Sequence, residues 1–162
     1  AMATDKIKAV VAYEPGQIVL PESVPTPILP YKNALAFDNL QPIKVPEAEF
    51  NKLTKIPIMI VYGDNIAAQP SEIFNVDVWR LSKAYAEEFV KQINARGGDA
   101  VLVSLPELGI KGNTHVPFAD KNNLQITDML EDYLHKKGLD GKENPHQGPQ
   151  PKGLKDFTIP LQ

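Results

Sequence analysis

Three short apolar runs are spread along the chain, and each stops at turn-forming residues. The runs are Ile7 to Tyr13, Ile56 to Tyr62 and Ala100 to Leu105, and they stop at Glu14-Pro15-Gly16, Gly63-Asp64 and Pro106. Near-continuous apolar runs of this length are typical of strands that are covered on both faces of a parallel sheet. The pattern therefore predicts three parallel strands.

A long helix is predicted between the second and third strands, from about Val78 to Arg96. Its apolar residues recur at four-residue spacing, which places them on one buried stripe: Leu81, Tyr85, Phe89 and Ile93. Asp77 is suited to cap the start of this helix. Gly97 and Gly98 are suited to end it, because a helix end favours a left-handed residue.

A last helix is predicted from about Asn123 to Lys137, ending at Gly138, with a capping box formed by Asn122 and Gln125. The residues predicted to share its apolar face are Ile126, Met129, Leu130, Tyr133 and Leu134. Because strands and helices alternate, the sequence favours an α/β fold with a doubly wound parallel sheet and right-handed crossovers.

Two segments interrupt this alternation. Residues 14–55 contain seven prolines without clear periodicity, and they are far longer than the usual connection of ~4–6 residues. The segment is either a lid over a site or a disordered linker, and its many apolar residues favour the lid. Residues 139–162 are rich in Pro, Gly and Gln, which predicts an extended tail.

Composition and charge exclude several classes of function. The 162 residues are 43% hydrophobic and 23% charged, which fits one globular domain. With a net charge of −3 and no basic stripe, a nucleic-acid partner is not expected. Cysteine is absent, which excludes disulfides and thiolate chemistry and leaves the cellular compartment undetermined. No apolar run is long enough for a membrane span.

Candidate chemistry lies at the ends of the predicted strands, where open α/β sheets bind their ligands. Glu14 and Asp64 each follow a strand, and His115 follows the third strand in a glycine-containing loop before Pro117. His115 is a candidate general base or, alternatively, a surface histidine. Glu14 and Asp64 compete to orient it, since one carboxylate suffices, and either is alternatively a simple turn residue.

Other polar candidates are weaker. His135 and His146 lack the spacing of a metal site and are interpreted as solvated side chains, so no metal is expected. The four serines are Ser23, Ser71, Ser82 and Ser104. None of them lies in the Gly-x-Ser-x-Gly elbow that presents a nucleophile in α/β folds, so the chain lacks a candidate nucleophile.

Four motifs together resemble one known family. They are Glu14-Pro15-Gly16, Tyr62-Gly63-Asp64, Gly112-Asn113-Thr114-His115 and Lys121-Asn122-Asn123-Leu124-Gln125. Residues 3–138 resemble the C-terminal half of an α/β-hydrolase. They are most similar to a bacterial esterase subgroup whose strands end in Glu-Pro-Gly and Gly-Asp, and whose Gly-Asn-Ser/Thr-His loop precedes an Asn-Asn-Leu-Gln-type helix. The histidine loop with that helix is the most specific part of the resemblance.

The resemblance implies a partial α/β-hydrolase fold. Residues 1–138 would be the C-terminal half of the hydrolase domain, with the lid at 14–55 and the tail at 139–162. In the subgroup the triad acid follows the sixth strand, which makes Glu14 the acid and His115 the base. Asp64 stands where the wider fold keeps its acid and is the alternative.

The implied activity is that of a carboxylic ester hydrolase, incomplete in this chain alone. Its partners would be a small ester substrate and the N-terminal half of the same hydrolase, from the same gene or on a companion chain, which carries the serine nucleophile and the oxyanion hole. The mechanism uses side chains and water, so no cofactor is expected. The alternative is a non-catalytic α/β-hydrolase-like binding or scaffolding module.

Overall fold

A computed structural model describes residues 1–141, in which two consecutive strands are followed by alternating helices and strands. The strands are β1 (Val10–Tyr13), β2 (Val19–Pro21), β3 (Ile43–Val45), β4 (Pro57–Tyr62) and β5 (Asp99–Ser104). The helices are α1 (Ala34–Asn39), α2 (Glu47–Leu53), α3 (Phe74–Ala95) and α4 (Asn123–Lys136). Residues 142–162 lie outside the described residues, and with them His146 and nearly all of the predicted tail.

The main sheet has three parallel strands in the order β1-β4-β5, which confirms the predicted α/β class. The central strand β4 is almost wholly buried, whereas β1 is half-buried and, within residues 1–141, pairs only with β4. Strand β1 is shorter than predicted. Val10 lies opposite Ile58, the second residue of β4, so Ile7 and Lys8 precede the point where pairing begins.

Helix α3 buries the predicted stripe of Leu81, Tyr85, Phe89 and Ile93. It starts at Phe74, earlier than predicted, so Asp77 lies in its first turn and is not its N-cap. The predicted end is confirmed, since Gly97 has a φ of 75°. The amides of Gly97 and Gly98 donate to the carbonyls of Asn94 and Ile93, which is the Schellman arrangement.

The Pro-rich segment 14–55 is ordered, so the alternative of a disordered linker is wrong. It contains β2, α1, β3 and α2, with β2 and β3 paired in a small parallel sheet. Its buried side chains join those of α3 in one hydrophobic core: Ile18, Leu20, Ala36, Phe50 and Leu53. Arg80 of α3 also donates to the Pro30 carbonyl at 2.7 Å, and Arg96 donates to Glu47 at 2.7 Å. The lid role of this segment stays a prediction.

Residues 121–141 belong to a second compact unit that contains α4. Ile126, Met129 and Tyr133 are its buried side chains, as predicted, while Leu130 and Leu134 are half-buried. The predicted capping box is wrong, because the Asn122 side chain makes no cap hydrogen bond to the helix backbone. None of the helices in residues 1–141 combines the length and apolar character that a membrane crossing requires.

His135, on the last turn of α4, differs from its predicted state. Its Nδ1 lies 2.6 Å from Oδ2 of Asp140, and its side chain is 35% exposed. The interpretation of His135 as a simply solvated side chain is therefore wrong, because it is partly buried and has an acidic partner.

Candidate active site

Glu14 directly follows β1, and its backbone is strained. Its φ is 42°, a left-handed value that few residues other than glycine adopt without cost, and such residues cluster at functional sites. Its amide still donates to the Val61 carbonyl at 2.8 Å, which extends the pairing of β1 with β4 by one residue. The turn therefore leaves the carboxylate at the rim of the sheet while the backbone stays attached to it.

The carboxylate of Glu14 contacts residues that follow the two other strands of the main sheet. Its side chain is only 1% exposed, and its Oε1 accepts the Gly63 amide at 2.7 Å. Its Oε2 lies 2.9 Å from Nδ1 of His115, whose side chain is 46% exposed. This buried carboxylate thus contacts both the residue after β4 and the imidazole of the loop after β5. The other ring nitrogen of His115, Nε2, is not used by this carboxylate.

Two buried hydroxyls hold the backbone just after Glu14. Tyr62 and Ser82 each donate to the Pro15 carbonyl, and their oxygens lie 2.8 Å from one another. Burial raises the pKa of the Tyr62 phenol well above its ordinary value, so this hydroxyl stays protonated and able to donate. Residues from β4 and α3 therefore secure the strained turn.

Asp64, the alternative acid, is hydrogen-bonded to backbone groups of the histidine loop. Its Oδ2 accepts the Gly112 amide at 2.9 Å, and its own amide donates to the Asn113 carbonyl at 3.1 Å. The pKa of Asp64 is lowered, first by the Gly112 hydrogen bond and then by that of the Asn65 amide. The described hydrogen bonds of this carboxylate are thus made to backbone amides.

Asp120 holds the same loop from its other end. Its carboxylate accepts the Thr114 amide at 2.7 Å, the Thr114 hydroxyl at 2.8 Å and the amide of the buried Asn113 side chain at 3.0 Å. These hydrogen bonds, with the Thr114 amide foremost, lower the pKa of Asp120. Asn113 and Thr114, the two residues before His115, are therefore both hydrogen-bonded to Asp120.

One aromatic ring contacts the imidazole, and another aromatic side chain lies on the histidine loop. Trp79 of α3 contacts His115 with ring centroids 3.7 Å apart and planes inclined at 37°. Phe118, which is 56% exposed, makes an edge contact with Tyr13 at 5.7 Å between centroids. The exposed Val116 lies on the same loop. The described contacts of the His115 ring are thus one carboxylate and one indole.

Among the predicted site residues, Glu14 and His115 contact one another. The carboxylate of Asp64 instead contacts the backbone of the histidine loop. The catalytic roles themselves stay predictions. Sequence reasoning missed Trp79, Tyr62, Ser82 and Asp120. Trp79 lies outside the buried stripe of α3, so only its being the single tryptophan could have drawn attention to it.

The chain is similar, over 84% of its length, to a solved structure described as the atomic-resolution structure of a novel bacterial esterase, with 28% identity and a TM-score of 0.56. The match covers 33% of that protein, so this chain spans about a third of its length. No protein-family model and no curated protein sequence matches the chain. The fold is therefore a partial α/β-hydrolase-like fold.

Replacing Gly63 should lower the stability of the folded chain. A Cβ on Gly63 would lie 2.7 Å from the backbone oxygen of Thr114 and 2.9 Å from Oε1 of Glu14, so Gly63→Ala must move one of them. We expect a loss of about 1–3 kcal/mol of unfolding free energy in urea. Gly16→Ala is the matched control, since nothing lies within 4 Å of its added carbon. Equal stability of the two variants would contradict the packing described here.

Asp120 should make stability depend on acid pH. Because its pKa is lowered in the folded state, its contribution is present above the ordinary carboxyl pKa of about 4 and is lost as the pH falls through the folded value. We expect the urea unfolding free energy to fall less steeply between pH 6 and pH 3 in Asp120→Asn than in the unchanged chain. The control is Asp38→Asn, at an exposed residue of α1, which should keep the original slope. A slope unaltered by Asp120→Asn would refute the assignment.

Proposed function

We propose that this chain supplies the general base, His115, and the orienting acid, Glu14, of a serine ester hydrolase. The observation that carries the proposal is the 2.9 Å contact between Nδ1 of His115 and the buried Oε2 of Glu14. In a catalytic triad the acid binds one imidazole nitrogen and leaves the other for the nucleophile. The likeness to a bacterial esterase supports the same function.

The proposed mechanism moves one proton through His115. Glu14 accepts a hydrogen bond from the Nδ1–H group, which keeps the proton on Nδ1, so the neutral imidazole presents the lone pair of Nε2 as a base. Nε2 takes the proton of the serine hydroxyl as that oxygen attacks the ester carbonyl, and the imidazolium formed is stabilised by Glu14. Nε2 then protonates the leaving alcohol, and a water molecule repeats the sequence to release the acid. The 14–55 segment would help to shape the pocket for the small ester.

The nucleophile in this proposal comes from polypeptide outside these 162 residues, as the N-terminal half of the same hydrolase or a companion chain. Hydroxyls of the chain's own serines have other partners: Ser23 bonds Glu47, Ser71 accepts the Ile73 amide and Ser82 bonds Pro15. Ser104 is buried at the end of β5. The edge of β1 that does not face β4 is a suitable place for further strands to pair.

Of the two candidate acids, Glu14 is the better supported. Its carboxylate contacts the imidazole directly, whereas that of Asp64 accepts the amides of Gly112 and Asn65. An acid that orients a histidine must reach a ring nitrogen. We therefore assign Asp64 the task of holding the loop that carries His115.

A serine-directed fluorophosphonate probe tests the proposed function. It should be applied to the longer protein or assembly that contains this chain, in the unchanged form and as His115→Ala. We expect labelling of one serine outside residues 1–162, located by peptide mass spectrometry, and its loss in His115→Ala. The absence of labelling in a stable assembly would overturn the esterase and favour the non-catalytic binding or scaffolding module.

Isosteric amide variants distinguish the two carboxylates. Glu14→Gln should lower kcat for a short p-nitrophenyl ester by about 10⁴-fold, because it cannot hold the reactive tautomer of His115. Asp64→Asn should cost much less, since it alters a loop contact and leaves the contact between Glu14 and His115 intact. Initial rates of both variants, measured in the same longer protein, provide the comparison. The reverse ranking would move the acid to Asp64.

A further inference from the structure

Trp79 makes the closest ring contact described for His115. The two ring centroids are 3.7 Å apart, and the indole is half-buried in the early part of α3. Its neighbour Val78 packs against the hydrophobic core, whereas Trp79 is not one of the residues described in that core. The ring contact described for this indole is thus made with an imidazole.

His115 needs a second restraint beyond its hydrogen bond. Its side chain is 46% exposed, and the bond to Glu14 holds the ring at one atom, Nδ1. The terminal torsion of a histidine has broad minima, so one hydrogen bond at Nδ1 still allows a range of ring orientations. A flat neighbour against the ring removes this freedom before the reaction, when ordering it would otherwise cost entropy.

We propose that Trp79 is a positioning residue for His115: its indole holds the imidazole so that Nδ1 faces Glu14 while Nε2 remains open to the incoming hydroxyl. This proposal rests on the proposed function, in which Nε2 is the atom that takes the serine proton. An aromatic face also attracts a cation, so the same contact stabilises the imidazolium that forms when His115 accepts the serine proton. Trp79 itself exchanges no proton and forms no bond with the substrate.

The fluorescence of Trp79 tests the contact in this chain alone. Trp79 is the single tryptophan, so all indole emission comes from it. An imidazole in ring contact changes the emission of an indole, so we expect His115→Gln to alter the intensity and the maximum of the Trp79 emission at constant pH. His135→Gln, a control at the histidine paired with Asp140, should leave both unchanged. Circular dichroism of the variants ensures that folded proteins are compared. The same emission in His115→Gln and in the unchanged chain would overturn the contact.

Kinetics in the longer protein test the positioning role. Trp79→Leu keeps apolar bulk and loses the flat ring, so we expect kcat to fall by about tenfold or more with little change in KM. Trp79→Phe retains a flat ring and should recover most of the lost kcat. A purely structural role would instead lower the fraction of active protein, which titration with the fluorophosphonate probe measures. Equal rates for Trp79→Leu and the unchanged protein would overturn the proposal.

The two failures are distinguishable. If no ester is hydrolysed and no serine is labelled, the proposed function is wrong, and the fluorescence experiment still decides whether Trp79 holds His115. If the ester is hydrolysed but Trp79→Leu is fully active, the esterase stands and the positioning role of Trp79 is refuted.

Discussion

The buried carboxylate of Glu14 is the constraint on which the site depends. A carboxylate with 1% exposure is unfavourable unless hydrogen bonds replace its lost water, and Gly63 and His115 provide them. Gly63 must lack a side chain for its amide to come so close, and Glu14 must adopt a positive φ. The Tyr62 and Ser82 hydroxyls then retain the Pro15 carbonyl. The geometry of the turn is thus maintained by β1, β4 and α3 together.

Three carboxylates together hold His115 and its loop in position. Glu14 contacts the ring, Asp64 binds the loop at Gly112, and Asp120 binds it at Asn113 and Thr114. A loop outside regular secondary structure has backbone groups that must find other partners, and these carboxylates supply them. The imidazole is therefore carried by a loop that is anchored at both ends. The hydrolase proposed here requires this, because small displacements of a base reduce its efficiency greatly.

The long Pro-rich segment shows where pattern reasoning is weakest. Its elements are three to seven residues long, too short for a helical or alternating period to emerge. Short helices are also marginal by themselves and form only when a face is buried. Phe50 and Leu53 of α2 and Ala36 of α1 obtain that burial in a core shared with β2, β4 and α3. Their structure therefore depends on elements that are distant from them in the chain.

The sequence by itself determined the parallel strands β1, β4 and β5, the buried stripe of α3 and its glycine ending, because local periodicity and backbone preferences encode them. It also marked Glu14, Asp64 and His115 as strand-end candidates. Only the tertiary structure decided which carboxylate meets the imidazole and which side chains support that contact. Glu14 and His115 are 101 positions apart, and no local pattern encodes a distance that arises when three strand ends meet at one edge of a sheet.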